Sequence, residues 1–210
     1  MSDYNKLTEA KMKLAQREHK PGKRSLSERI PPGQHLVNHL PILDLGIIPE
    51  LSTANWSLTL GGEIHAEQTL NWDDFQKLPR QNMVVDIHCV TTWSRLDVPW
   101  AGVSASELIR MAQPKPNVNT VVLHSADGYT TNVPLSILMD EDVLLADTVD
   151  GQPLPIEHGG PVRMVVPKRY FWKSAKWITA MIFHTSDQPG FWEVRGYHND
   201  ADPFKEERFS

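Results

Sequence analysis

Thr120-Val121-Val122-Leu123-His124-Ser125-Ala126-Asp127-Gly128-Tyr129-Thr130-Thr131-Asn132-Val133 carries the local pattern that decides the fold. A run rich in β-branched residues, Thr120 to His124, leads into Asp127-Gly128, and a second run follows from Tyr129 to Val133. Such side chains suit a pleated surface, and an Asp-Gly pair supplies the backbone angles of a tight reversal. The spacing predicts an antiparallel hairpin.

Working outward, the same grammar recurs. Trp56, Leu58 and Leu60 alternate with Ser57 and Thr59, the period of a half-buried strand, and Gly61-Gly62 reads as the hairpin turn after it. Asn71 to Leu78 reads as a short helix with Asn71 as its N-cap. Asn82 to His88 alternates again and delivers Cys89 at a strand end. Ser104-Ala105-Ser106-Glu107 is a capping box that opens a helix over Ala105 to Met111, and Pro114 and Pro116 end that element. Val143 to Asp147, Val162 to Val166 and Ala175 to Phe183 read as strands, with a turn at Asp150-Gly151. The fold class that follows is α+β, with mixed, mostly antiparallel sheets and few short helices. No Gly-x-Gly-x-x-Gly and no P-loop is present, which argues against a doubly wound nucleotide fold.

The chain has 210 residues, enough to bury a sizeable core without disulfides. Hydrophobic residues make up 40% and charged residues 22%, an ordinary globular balance, and seven Trp with six Phe need an interior. No apolar stretch is long enough for a membrane span. The net charge of −5 argues against general nucleic-acid binding. Residues 1–30 stand apart as a polar N-terminal arm with eight Lys/Arg against four Asp/Glu, and residues 31–210 are expected to form one domain. Ile30-Pro31-Pro32-Gly33-Gln34 breaks any helix and begins an extended crossing segment. The charged start lacks the apolar run of a secretory signal, so a cytoplasmic location is expected. A single cysteine excludes an internal disulfide, a cysteine-rich zinc or iron–sulfur site and covalent c-type haem.

Two stretches carry candidate chemistry. The first is Cys89, which leaves a strand for the polar loop Val90-Thr91-Thr92-Trp93-Ser94; strand ends are where a positioned ligand or nucleophile is exposed. A buried inert thiol would give the same placement. The second is a basic island. Arg163, Lys168, Arg169, Lys173 and Lys176 follow one another with no acid between them, interleaved with Tyr170, Phe171, Trp172 and Trp177. That composition suits a pocket for a flat, polar anion, and equally a strand with a basic outer face. Just before it, His158-Gly159-Gly160 lets backbone approach a ligand closely, as a plain tight turn also would.

At these two stretches the sequence resembles the sulfite-oxidase-type molybdenum enzymes, in the domain that holds one molybdopterin. The resemblance rests on Cys89-Val90-Thr91-Thr92-Trp93-Ser94 followed by Val98-Pro99-Trp100-Ala101-Gly102-Val103. It rests equally on His158-Gly159-Gly160-Pro161-Val162-Arg163-Met164-Val165-Val166-Pro167, then Lys173-Ser174-Ala175-Lys176-Trp177. The order of parts agrees over roughly residues 31–197, and the short bacterial forms are the most similar. The resemblance implies a sulfite-oxidase-type molybdopterin-binding fold and a molybdenum–molybdopterin cofactor. It implies Cys89 as the thiolate ligand of molybdenum, with Arg163 and Lys176 anchoring phosphate and pterin. Ser174 and the backbone of Ala175 fall in the same anchoring loop. His158 falls at a pterin-contacting position and Ser125 at a Ser/Thr contact. His35, Asn38 and His39 fall in the crossing segment that touches the pterin. Arg95 is the candidate for the substrate anion.

The activity implied is two-electron oxygen-atom transfer to or from a small sulfur- or nitrogen-oxide substrate, with an external protein as electron donor or acceptor. Soft sulfur donors suit such a metal, and clustered cations suit a phosphate. Two other readings stand beside it. One is a cysteine-nucleophile hydrolase, in which neighbouring His88 would point to the opposite strand face; the other is a non-catalytic cofactor-binding module.

Overall fold

The computed structural model describes Glu9 and residues 29–210. The expected N-terminal arm lies outside the described residues but for Glu9 and its last two positions, where Arg29 ion-pairs with Asp86 and Asp97 at 2.6 Å each.

In chain order the elements begin with β1 (His35–Leu36), β2 (Ser57–Gly62), β3 (Gln68–Asn71), helix α1 (Trp72–Gln76) and β4 (Arg80–His88). Then come β5 (Trp93–Ser104), helix α2 (Ala105–Ala112), β6 (Thr120–Ser125), β7 (Thr130–Pro134) and helix α3 (Leu135–Leu138). β8 (Leu144–Val149), β9 (Gln152–Pro153), β10 (Arg163–Val165) and β11 (Ile178–His184) complete the set. One sheet contains β1, β5, β8 and β10 in that order, with β4 also on β5 and β9 on β8. The other has the order β3-β2-β11-β6-β7. The pairings are antiparallel except β1 with β5 and β2 with β11. This is the mixed, mostly antiparallel α+β architecture expected.

Local chemistry explains the element boundaries. Asn71 caps α1 by accepting from the Asp74 amide, and Ser104 caps α2 by accepting from the Glu107 amide. Each such cap stabilises by about 1 kcal/mol. Gln113, in the left-handed region at φ 48°, stops α2 just before Pro114. The hairpin read from Thr120 to Val133 is β6 and β7, paired from Thr120↔Pro134 to His124↔Thr130. The inward faces of both sheets meet in one core, where Leu58, Leu60, Leu123 and Phe183 pack with Val98, Trp100, Leu144 and Met164.

Two expectations need correction. Gly61-Gly62 is not a turn: both residues belong to β2, paired in parallel with Ile182 and Phe183 of β11. Gly62 has φ +86°, and a Cβ there would sit 2.4 Å from the Phe183 carbonyl oxygen, so its glycine serves close strand approach. The strand expected from Ala175 begins only at Ile178, because the Trp177 amide donates to the Gly159 carbonyl and Trp177 adopts φ 50°. Beyond Arg195 the chain returns to the core, where Tyr197 and Ala201 are buried and Tyr197 bridges Phe209.

Candidate active site

Loops from both sheets converge on one cleft enclosing about 940 Å³, the open space at its mouth included. The turn between β4 and β5 contributes Cys89, Thr91 and Trp93, and the β6–β7 hairpin contributes Ser125, Asp127 and Tyr129. The segment before β10 contributes His158, β10 contributes Arg163, and the link to β11 contributes Phe171, Trp172, Ser174, Ala175, Lys176 and Trp177. Thus seven residues singled out from the sequence, Cys89, Ser125, His158, Arg163, Ser174, Ala175 and Lys176, line the same space.

Cys89 is held by its backbone. Its amide donates to the Trp93 carbonyl at 2.9 Å, and its carbonyl accepts from the Thr92 amide at 3.0 Å and from Nε2 of Gln34 at 3.0 Å. The turn places Thr92 at φ 73°, a left-handed conformation that costs a non-glycine residue energy and that recurs at functional loops. The Cys89 Sγ lies 3.2 Å from Oγ1 of Thr91. His88 faces the other side of β4, as strand alternation requires. Its Nδ1 is 2.8 Å from Oγ of Ser94 and its ring stands edge-on to Phe204. Burial lowers its pKa to about 4, so it is neutral at neutral pH.

Arg163 dominates the electrostatics. Its guanidinium is buried, donating from Nη1 to the His158 carbonyl at 2.7 Å and from Nη2 to the Ser174 carbonyl at 2.8 Å, over the Phe171 ring at 4.1 Å. Burial pushes it down to about 9, so it remains a cation at neutral pH, and among the described residues no carboxylate pairs with it. A buried charge without a counter-charge is costly, and an anion entering the cleft removes that cost. Lys176 adds a second cation, donating from Nζ to the Glu157 carbonyl at 2.7 Å and lying 4.3 Å over the Trp177 ring. Gly159 makes this packing possible: a Cβ there would strike the Cβ of Lys176 at 2.8 Å. Burial, then the charge of Arg163, lowers the pKa of half-buried His158, and burial raises that of Asp127.

Not every expected residue brings its side chain to this cleft. Ser174 spends its hydroxyl on the Val166 amide at 2.9 Å, so its carbonyl, through Arg163, is what serves the cleft. Arg95 does not line the cleft with Cys89. It is clamped by Asp150 at 2.6 and 2.8 Å in an adjoining depression with Asn38, His39 and His158. His35 is exposed on β1 and lines neither space. The basic island divides. Lys173 forms a buried ion pair with Glu193 at 2.6 Å, and Lys168 pairs with Asp140 and Asp142, leaving Arg163 and Lys176 for the cleft. Trp192 and Tyr197, which close one wall, lie in no motif that the sequence marked.

The wall has unmet hydrogen-bonding capacity. The Ser125 hydroxyl and the Trp93 indole N–H are both buried without a partner among the described residues, and both residues line the cleft. Buried polar groups are normally satisfied. Two such groups beside a lone buried guanidinium and a cysteine fit an anionic, hydrogen-bonding, sulfur-bearing metal cofactor. Among the described residues no cluster of three His, Cys, Asp or Glu is placed to hold a metal, so Cys89 would be the protein's ligand and the cofactor would bring the others.

Fold and cleft together define a sulfite-oxidase-like molybdopterin-binding oxidoreductase. The family model described as the oxidoreductase molybdopterin binding domain matches residues 45–192, and the chain belongs to that family, whose cofactor is molybdenum–molybdopterin. It is 42% identical over 185 residues to the uncharacterized oxidoreductase YuiH of Bacillus subtilis, covering 88% of this chain and 93% of that one. It is 29% identical over 171 residues to the protein-methionine-sulfoxide reductase catalytic subunit MsrP of Ralstonia nicotianae, covering 70% of this chain and about half of that longer one (51%). The crystal structure of the sulfane dehydrogenase SoxCD from Paracoccus pantotrophus shares the fold, with TM-score 0.60 and 22% identity, over 66% of this chain and 40% of that one. Family membership sets aside the hydrolase and the non-catalytic module: the protein is an oxidoreductase.

Proposed function

We propose that this oxidoreductase catalyses two-electron oxygen-atom transfer to or from a small sulfur- or nitrogen-oxide substrate. The observation that carries the reading is the convergence, in one cleft, of Cys89, the uncompensated Arg163 cation and the unpartnered Ser125 hydroxyl. Cys89 would ligate the metal. Arg163 and Lys176 would hold the phosphate and pterin, with Ser125, Trp93 Nε1 and His158 meeting the pterin's polar edge. When bound, the molybdenum cofactor supplies the two-electron oxygen-transfer chemistry, and the protein supplies ligand, orientation and access.

The chain's own residues set what enters. Trp93, Phe171, Trp172 and Trp192 form an apolar wall that excludes bulk water. Tyr197 lies on that wall, where burial raises its pKa, and its phenol would offer a donor to a substrate oxygen. Arg95 is paired with Asp150 outside the cleft, so it supplies no cation to a small oxyanion there, which favours a neutral oxide as substrate. The sulfoxide-reductase name of one relative supports a sulfur oxide. Two electrons must enter or leave each turnover, and we assign that exchange to an external partner protein.

The test is molybdenum and pterin content of the purified holoenzyme, with turnover of sulfoxides, N-oxides and sulfite in parallel. About one molybdenum and one pterin per chain are expected, with turnover on a neutral oxide. Cys89→Ser should keep pterin and lose turnover; a fully active Cys89→Ser protein sinks the metal-ligand role.

A further inference from the structure

We propose that the C-terminal segment, residues 196–210, is a clamp on the Cys89 loop, with Arg208 as its positioning residue. This rests on the reading of Cys89 as metal ligand. The Arg208 Nη1 donates to the carbonyl of Val90, the residue after Cys89, across 118 positions of sequence. The preceding carbonyl, that of Cys89 itself, accepts from Gln34 at 3.0 Å, 55 positions upstream. Two consecutive carbonyls of the loop are therefore pinned by side chains from opposite ends of the described chain. The turn they pin contains Thr92 at φ 73°, a conformation that persists only where surrounding structure imposes it.

Arg208 is itself fixed. Its guanidinium lies 5.2 Å over the Tyr170 ring, and its carbonyl accepts from the His198 amide at 3.2 Å. The tail is tied down on either side. The Tyr170 amide donates to the Ala201 carbonyl at 2.8 Å, the Ser210 amide to Gly196 at 3.1 Å, and the Phe209 ring stands edge-on to Tyr197 at 5.1 Å. Phe204 packs edge-on to His88, the residue before Cys89. The same segment thus fixes both flanks of Cys89 and the ring of Tyr197 that walls the cleft. The family match ends at residue 192, so the clamp lies beyond the matched core. A metal ligand is effective only when held within about half an ångström of its place, and a loop tied by one charged hydrogen bond is sensitive to its loss.

Because Cys89 is the only cysteine, thiol alkylation of the cofactor-free protein reads this loop alone. The rate is followed across pH, since its high-pH plateau reports access to the thiolate independently of the thiol pKa. Arg208→Ala should raise the plateau about tenfold, the equivalent of one lost charge-assisted hydrogen bond. Arg208→Lys, which keeps a charged donor, should return it to within about threefold of wild type. Lys205→Ala, on the same tail but paired among the described residues with Asp202 and Glu207 alone, should leave it unchanged. In the holoenzyme, Arg208→Ala should lower kcat and leave KM in place.

A folded Arg208→Ala protein with a wild-type plateau overturns the clamp, as does an equal rise in Lys205→Ala. If Arg208→Ala does not fold, Arg208→Gln decides in the same way: a raised plateau supports the clamp and an unchanged one overturns it. Full turnover in Cys89→Ser would overturn the metal-ligand reading, while the thiol assay, run without cofactor, would still judge the clamp.

Discussion

At Ser125 a hydroxyl is buried at the end of β6 with no partner among the described residues, an arrangement that costs the cofactor-free chain and that the proposed pterin contact would relieve in the loaded one. The two states should therefore respond oppositely to Ser125→Ala. Cofactor retention should weaken by about 0.5–1.5 kcal/mol, roughly two- to tenfold, as read by pterin release. The Tm of the cofactor-free protein should hold or rise. Arg163, proposed to anchor the cofactor, differs because it also serves the protein: its fork holds the His158 and Ser174 carbonyls that shape the cleft. Arg163→Lys keeps the charge but loses the fork. Pterin retention should fall by about 1.5–3 kcal/mol, roughly ten- to a hundredfold, with a lower Tm in both states. An Arg163→Lys protein that retains pterin as wild type does would remove Arg163 from the anchoring role.

β2 and β11 run parallel through the middle of their sheet, and at Gly62 the Phe183 backbone leaves no room for a Cβ. Gly62→Ala combines a left-handed backbone with a Cβ driven against the Phe183 carbonyl. The expected loss is on the order of 2 kcal/mol, roughly 4–8 °C in Tm for a chain of this length. Thermal unfolding checks it directly. Because β11 follows the Ser174–Trp177 loop, the same substitution should also weaken pterin retention. A change in Tm without that effect would show that the loop is held by Gly159 and Arg163 alone.

For the molecule as a whole, buried histidines set an acid limit. His88 is held near pKa 4 by burial, and burial also lowers His124. In the unfolded chain the His88 ring takes up a proton near pH 6.5, whereas the folded state keeps it neutral down to about pH 4. Stability contributed by neutral His88 is therefore fully present above about pH 6.5 and falls as the pH drops toward 4, by up to about 3 kcal/mol. Urea unfolding of the cofactor-free protein at pH 7 and pH 5 should show the decline, and His88→Gln should flatten it. A pH-independent midpoint in the wild type would contradict the burial of these rings. Cofactor binding works in the other direction: it stabilises the folded state by mass action, so the loaded protein should melt higher.

What was legible in the sequence follows from the range of the forces involved. The β6–β7 hairpin, the Asn71 and Ser104 caps and the stop at Pro114 are written in neighbouring residues, because alternation, capping and turn chemistry act over a few positions. Cys89, Ser125, His158, Arg163, Ser174, Ala175 and Lys176 were also readable, since each sits in or beside a motif that resembles a known family. Gly61-Gly62 misled because a turn and a close strand approach demand the same small residue, and only the position of β11 distinguishes them. Arg95 misled because its partner, Asp150, is 55 residues away, and Lys173 left the basic island for Glu193 in the same manner. Trp192, Tyr197 and Arg208 gave no local sign, for their importance arises from the tail folding back beside the Cys89 loop. The sequence alone thus determined the strand-rich α+β class, the cofactor type and seven of the residues that line the cleft, through short-range propensity and motif. The tertiary structure alone decided which charges remain for the cofactor and which side chains close the cleft, because ion pairs and packing join residues that the chain keeps far apart.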